Sequence, residues 1–444
     1  MNKPVHSSRR RFLGATGSAF AALLASGCVL RNSRPDAAIA GVSYGPLQPD
    51  PAGVLDLPQG FSYRVLSRRG DAMDDGGRVP DNADGMGCFA LPGNRLALVR
   101  NHELTATQDA GGTPRLAFDY LSEGNRPLPG GTTTLVLDAR TLELKRQFRS
   151  LAGTIRNCAG GVTPWGSWLT CEEDVARASV PLRGGQRVGQ DHGWIFEVPA
   201  AAEGLVQPVP LKAMGRFYHE AAAVDPRGGM VFLTEDRDDG LFYRFTPRTP
   251  GKLADGGRLQ ALAIDGLPDS RNRNAPAFAP ASWKKVRWVD IENPESPADD
   301  LRKQGAQKGA TLFARGEGVH MGSGQVYFCC TSGGAARLGQ IFRLHPVRDE
   351  LQLFFESTSI EQFNYGDNLT VAPNGHLVVC EDQYTPMVRN FLRGITPAGE
   401  AYPLRRLHAQ TELAGACFSP DGKVLFVNAY SPALTLAITG PFQH

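Results

Sequence analysis

The sequence predicts an all-β protein, a six-bladed β-propeller with irregular inter-blade insertions. Three observations carry this. The chain of 444 residues holds 51 glycines and 32 prolines, which suits many turns and little long helix. A turn-plus-strand segment recurs six times, each copy followed by a further strand-like run. Apolar residues make up 41% of the chain, enough to bury a large core.

The N-terminus comes first. Ser8-Arg9-Arg10-Arg11-Phe12-Leu13 matches the twin-arginine export pattern, and a weakly apolar, Gly- and Ala-rich stretch runs from Phe12 to Leu30. Residues 1–40 are therefore read as a signal peptide with a short linker, and residues 41–444 as a single β-propeller catalytic domain. The stretch is too Gly-rich for a convincing spanning helix, so the mature chain is expected to have no membrane span. Cys28, after Leu24-Ala25-Ser26-Gly27, lies close to a lipoprotein box, whereas Ala38-Ile39-Ala40 is an ordinary cleavage site. Lipid anchorage and simple cleavage both stay open. The export machinery is then a partner, and the mature protein is periplasmic or extracellular. The twin-arginine route carries folded proteins, often with a metal or cofactor already inserted.

Removing residues 1–28 lowers the basic count from 47 to 43 against 45 acids, so the mature charge is about −2. With no basic tract, nucleic-acid binding is excluded as a reading. Eight cysteines (Cys28, Cys88, Cys158, Cys171, Cys329, Cys330, Cys380 and Cys417) would normally suggest disulfides in an exported chain. Most lie in or beside apolar strand-like runs and read as small core residues. Vicinal Cys329 and Cys330 would face opposite sides of a sheet. Cys158 differs, because it sits in a Gly-rich turn.

The six repeats are FALPGNRLALVRNHE (89–103), GVTPWGSWLTCEED (161–174), AVDPRGGMVFLTED (223–236), HMGSGQVYFCCTS (320–332), VAPNGHLVVCED (371–382) and FSPDGKVLFVNAY (418–430). Their turn glycines, Gly93, Gly166, Gly229, Gly324, Gly375 and Gly422, recur at irregular spacings of propeller-blade scale. The following strand of each blade is read at 132–141, 193–199, 240–247, 339–346, 391–399 and 434–442. Radial repetition of this kind leaves only short, protected edges. A β-sandwich, or two smaller all-β domains, is the competing architecture, but no interior linker divides the chain cleanly. Residues 266–310 read as a polar inter-blade excursion with one short helix near Pro297–Gln307.

Corresponding strand ends meet around a propeller axis. Here they carry Glu103, the pair Glu172 and Glu173, Glu235, the pair Glu381 and Asp382, and Asn428. Solvation explains one such acid more readily than acids at the same phase in four of six repeats. Converging carboxylates repel by several kcal/mol at low effective dielectric, so the pattern predicts a central cation site. Further polar stretches are HEA (219–221), RGEG (315–318) and YGDNL (365–369). His102 and His219 read as supporting groups or as satisfied core histidines.

Taken in order, NCAGG (157–161), TPWG (163–166), LTCEE (169–173), HEA, RGEG and YGDNL resemble the PhoX-type alkaline phosphatases. The likeness runs from about residue 55 to the C-terminus through spaced motifs, and the NCAGG-to-CEE block is its specific part. It implies a propeller phosphomonoesterase with iron (Fe3+) and calcium as cofactors and small phosphorylated substrates. In that family a cysteine thiolate bridges two ferric ions, with calcium ions and carboxylates beside them. Carried over by motif, Cys158 matches the bridging thiolate, and Glu172, Glu173, Glu220 and Glu317 match carboxylate ligands. Glu103, Asp367 and Glu381 are further expected ligands. Arg315 and Glu317 are the expected catalytic pair, with Arg315 clamping phosphate bidentately. A thiolate suits iron, and oxygen donors suit calcium. The protein is expected to act as a monomer. Other readings are a calcium-dependent propeller hydrolase of lactonase or organophosphatase type, needing no thiolate, and a non-catalytic propeller stapled by metals.

Overall fold

The computed structural model describes residues 43–382 and 390–442. The residues read as signal peptide and linker, Cys28 among them, lie outside the described residues.

Six sheets succeed one another along the chain, each a blade of antiparallel strands. Blade 1 comprises Ala83–Leu91, Arg95–His102, Gly130–Asp138 and Leu144–Thr154. Blade 2 has three strands among the described residues, Asn157–Val162, Ser167–Glu172 and Ile195–Pro199. Blade 3 starts with His219–Val224, Val231–Glu235, Phe242–Pro247 and Gly257–Ala263, and blade 4 with Gly316–Gly322, Gln325–Cys330, Gln340–His345 and Glu350–Glu356. Blade 5 holds Gly366–Val371, Leu377–Glu381, Phe391–Ile395 and Ala401–Leu407, and the N-terminal strands Leu55–Pro58 and Leu47–Gln48 extend its outer edge. Blade 6 holds Leu413–Phe418, Val424–Ala429 and Leu434–Thr439, and an N-terminal strand, Ser62–Arg68, pairs with the last of these. The six-bladed propeller read from the repeats is the fold, and each repeat is the turn and second strand of one blade.

The 266–310 excursion is more ordered than its composition suggests. Trp283–Lys285 extends the outer edge of blade 4 and Arg287–Asp290 that of blade 3, so one short stretch spans two neighbouring blades. Its helix is Leu301–Gln307. No helix among the described residues is long and apolar enough to cross a membrane.

The innermost strands are rich in Gly and Ala because six of them crowd one axis. A Cβ on Gly161 would lie 2.0 Å from the Ala222 carbonyl oxygen in blade 3, and one on Gly85 would lie 2.5 Å from Ala159 Cα in blade 2. Side chains there would force the blades apart. Apolar clusters fill the space between sheets instead, and Cys329 and Cys330 enter different ones, as alternation along a strand requires. All seven cysteines among the described residues are free.

Candidate metal centre

Every innermost strand carries a bulge near its start, where two of its residues oppose one on the second strand. Bulges re-aim side chains. The first bulged residue of blades 1 to 5 is Asp84, Cys158, Glu220, Glu317 and Asp367, and in blade 6 it is Gly415. A second device repeats in all six blades. The residue before the inner strand accepts a hydrogen bond at its carbonyl from the residue after the second strand. The pairs are Asn82 with Glu103, Arg156 with Glu173, Tyr218 with Asp236, Arg315 with Thr331, Tyr365 with Asp382 and Glu412 with Tyr430, at 2.9–3.1 Å. Asn82, Arg156, Arg315 and Tyr365 adopt left-handed φ of 49° to 53° at this corner. Three residues per blade thereby converge on one end of the axis.

These positions make up four groups whose ligand atoms lie within 4.8 Å of one another: Cys158, Glu173 and Glu220; Glu220, Glu317 and Asp367; Asp367, Asp382 and Glu412; Asp84, Glu103 and Glu412. Shared Glu220, Asp367 and Glu412 join the groups end to end. All are buried, none more than 6% exposed.

Around Cys158 the chain is tightly supported. Asn101 Nδ2 donates to the carbonyls of Cys158 and Ala159 at 3.0 and 2.8 Å, satisfying the bulge, and Asn101 Oδ1 accepts from Trp168 Nε1 at 2.8 Å. The thiol donates toward the His219 and Glu220 carbonyls at 3.2 and 3.4 Å. Burial, then the charges of Glu220, Glu173 and Asp84, push this thiol well above its ordinary value. A thiolate there requires a cation.

Two arginines enter the ring. Arg156 Nη2 lies 2.6 Å from both Glu103 Oε1 and Glu173 Oε2. Although burial works against its charge, Glu173 and Glu103 hold it well above its ordinary value. Arg315 lies on Asp236 through Nε and Nη2, at 2.7 and 2.8 Å, and on Glu317 Oε1 at 2.7 Å. Its side chain is 20% exposed, more than any of the clustered groups. Burial pushes the Glu317 carboxyl well up, with Asp236 and Asp367 acting the same way and Arg315 against them. Glu317 Oε2 is buried and accepts no hydrogen bond.

The donor set fits cations. Eight clustered carboxylates and one thiol face two guanidinium groups among these residues, and each carboxylate pair at such distances repels by about 3–4 kcal/mol at an effective dielectric near 20. Oxygen donors suit a hard cation, and the thiol corner suits a softer one.

Of the residues expected from sequence, the structure brings together Cys158, Glu103, Glu173, Glu220, Glu317 and Asp367, with Arg315 against Glu317. It does not bring Glu172 and Glu381 into the groups. Each ends a second strand and points back into its own blade. Glu172 accepts from the backbone N–H of Ile155, Gly193 and Trp194 at 3.0–3.2 Å and meets His192 Nδ1 at 2.7 Å. Although burial opposes the charge, Glu172 and Asp119 push His192 up to about 10. Glu381 accepts from Arg393 Nε at 2.7 Å and from the N–H of Asn364 and Phe391. Glu235 has the same role toward Leu241 N–H and the Tyr243 hydroxyl. Successive strand residues face opposite ways, so the acid one position later reaches the axis. His102 and His219 are buried core histidines, on the Asp81 carbonyl and Thr133 and on the Gly215 carbonyl.

Sequence reasoning missed Asp84, Glu412, Asp236 and Arg156. A signal for the first existed: inner strands open on Asn-Cys-Ala, His-Glu-Ala and Gly-Glu-Gly, and Ala83-Asp84-Gly85 has the same form.

Fold and site together define a six-bladed propeller with a buried thiol–carboxylate candidate metal centre at one end of its axis. The chain belongs to the alkaline phosphatase PhoX family, which it matches over residues 42–141 and 122–433. It is accordingly a hydrolase of the alkaline phosphatase type. The structure of Pseudomonas fluorescens PhoX in complex with vanadate, a transition state analogue, is similar, with TM-score 0.69 and 21% identity over 90% of this chain and 98% of that one. A gluconolactonase from Xanthomonas campestris aligns more loosely, with TM-score 0.38 and 14% identity over 89% of this chain and 98% of that one. No curated protein matches the sequence.

Proposed function

We propose that this protein is an exported phosphatase acting on small phosphate esters, with iron at the Cys158 corner and calcium among the carboxylates. The observation that carries the reading is the unbroken series of four buried groups with a single thiol at one end, in a member of this family. Cys158, Glu173 and Glu220 would hold the softer cation; Glu317, Asp367, Asp382, Glu412, Asp84 and Glu103 would hold hard ones. Bound there, the cations supply Lewis-acid polarisation of a phosphoryl group. The chain's own contribution is orientation. Asp236 and Glu317 take the Nε and Nη2 hydrogens of Arg315 and fix its plane, so contact with a phosphoryl group as charge develops would be made through Nη1. That the Pseudomonas fluorescens relative forms a complex with vanadate, a transition state analogue, agrees with phosphoryl chemistry. The twin-arginine pattern supports export as a folded, loaded protein, and an extracytoplasmic location.

The test is elemental analysis of protein exported by its native route, with turnover of aryl and nucleotide phosphates and phosphodiesters. Iron together with calcium, and turnover of one of these substrates, is the expected result. No turnover by protein loaded with both metals would overturn it. Calcium without iron, and activity indifferent to Cys158→Ser, would favour a calcium-dependent hydrolase of another kind.

A further inference from the structure

The four groups form an almost complete ring. Three of its joints are shared carboxylates: Glu220 from blade 3, Asp367 from blade 5 and Glu412 from blade 6. The two ends are the group with Glu103, in blade 1, and the group with Glu173, in blade 2. Between them stands Arg156, with one nitrogen, Nη2, 2.6 Å from an oxygen of each and Nε 3.0 Å from Glu103 Oε1. Arg156 also occupies in blade 2 the position that Glu412 occupies in blade 6, the corner whose carbonyl accepts from the residue after the second strand. Where one blade presents a carboxylate shared between two groups, the other presents a guanidinium.

We infer that Arg156 is a positioning residue that closes the ring as a built-in cation, holding Glu103 and Glu173 in ligating orientation. The surroundings favour this over a plain structural ion pair. Its side chain is 5% exposed, its φ is the left-handed 49°, and the corner is pinned on both sides: Arg156 N–H donates to the Leu104 carbonyl at 3.0 Å and Glu173 N–H donates to the Arg156 carbonyl at 2.9 Å. Glu103 is fixed from its other oxygen by the Tyr430 hydroxyl at 2.8 Å, so the guanidinium completes an orientation already begun. A fixed charge at this joint survives chelation, whereas exchangeable cations elsewhere in the ring do not. Its guanidinium occupies the place between Glu103 and Glu173.

This inference rests on the metal-binding reading above, and the test separates the two. Full-length wild type, Arg156→Met and Arg156→Lys are stripped with chelator, and the free calcium giving half of the full thermal stabilisation is measured for each. Arg156→Met is expected to need about tenfold to 100-fold more calcium, the range seen when groups that orient ligands are lost. Arg156→Lys, which keeps the charge, is expected to recover part of that loss. A midpoint for Arg156→Met equal to wild type, or Arg156→Lys no better than Arg156→Met, overturns the inference alone. Should Arg156→Met not fold, Arg156→Gln is measured in its place, and a wild-type midpoint for it overturns the inference while a raised one that Arg156→Lys partly restores supports it. A wild type that calcium does not stabilise overturns both readings.

Discussion

Replacing Cys158 by serine separates a metal ligand from a packing residue. The thiol is fully buried and points toward the His219, Glu220 and Cys171 carbonyls at 3.2, 3.4 and 3.8 Å. A serine hydroxyl fits the same space and donates to the same carbonyls more strongly, so the metal-free fold should change by no more than about 1 kcal/mol. Iron is a different matter. Loss of a group that merely orients a ligand weakens metal binding about tenfold to 100-fold. Loss of the one soft ligand in the set should cost at least about 100-fold, or about 3 kcal/mol. The assay is iron and calcium per chain by elemental analysis, beside thermal melts in chelator. Cys158→Ser should lose iron, keep most calcium and melt in chelator close to wild type. Cys171→Ser is the control, since Cys171 is equally buried in the same apolar cluster but belongs to none of the candidate metal groups. It should lose stability, by about 1–3 kcal/mol for an ill-placed buried hydroxyl, and retain iron. Wild-type iron in Cys158→Ser would refute the reasoning, and so would a melt in chelator far below that of wild type.

Other outcomes follow from the same geometry. Arg315→Ala should lower kcat about 100- to 1,000-fold with metal content unchanged, as loss of a donor aimed at developing charge does; activity near wild type would remove it from the reaction. Glu172→Ala leaves the buried, charged His192 without its closer carboxylate and should cost about 3–5 kcal/mol, read by denaturant melts, while the folded fraction keeps its metals. Burial pushes Glu235 up to about 7, against the pull of Arg302 and Tyr243. A raised folded value means that its contribution to stability is complete below the ordinary 4.5 and is lost as pH rises through about 7. Glu235→Gln should therefore gain in melting temperature relative to wild type between pH 5 and pH 8, and a constant difference would contradict this.

Much of the architecture was legible because blade construction is local. The proline and glycine turns and the alternating second strands are written in consecutive residues, and all six fell where the repeats put them. The centre was legible only in part. Glu172 and Glu173 are adjacent and chemically alike, and only pairing register, displaced by the bulge at Cys158, decides which one faces the axis. The same one-residue choice separates Glu381 from Asp382. Asp84 sits in a strand start that resembles those of Cys158 and Glu220, but the repeats were aligned on turns, at the other end of that strand. Glu412 and Arg156 belong to corners whose role is set by a backbone hydrogen bond between residues 17 or 18 apart, and no spacing rule along the chain exposes that.

The pairing of Ser62–Arg68 with Leu434–Thr439 has a consequence for synthesis. Blade 6 is built from both ends of the chain, and the group of Asp84, Glu103 and Glu412 draws ligands from blades 1 and 6. The sheet that seats Glu412 is therefore complete only after Leu434–Thr439 has left the ribosome and paired with Ser62–Arg68. A chain broken off before residue 434 could still gather Cys158, Glu173 and Glu220, whose three ligands lie within 63 positions of one another. Occupancy of the group at the blade 6 to blade 1 junction thus reports whether the molecule is whole, while the thiol corner reports only that its middle has folded.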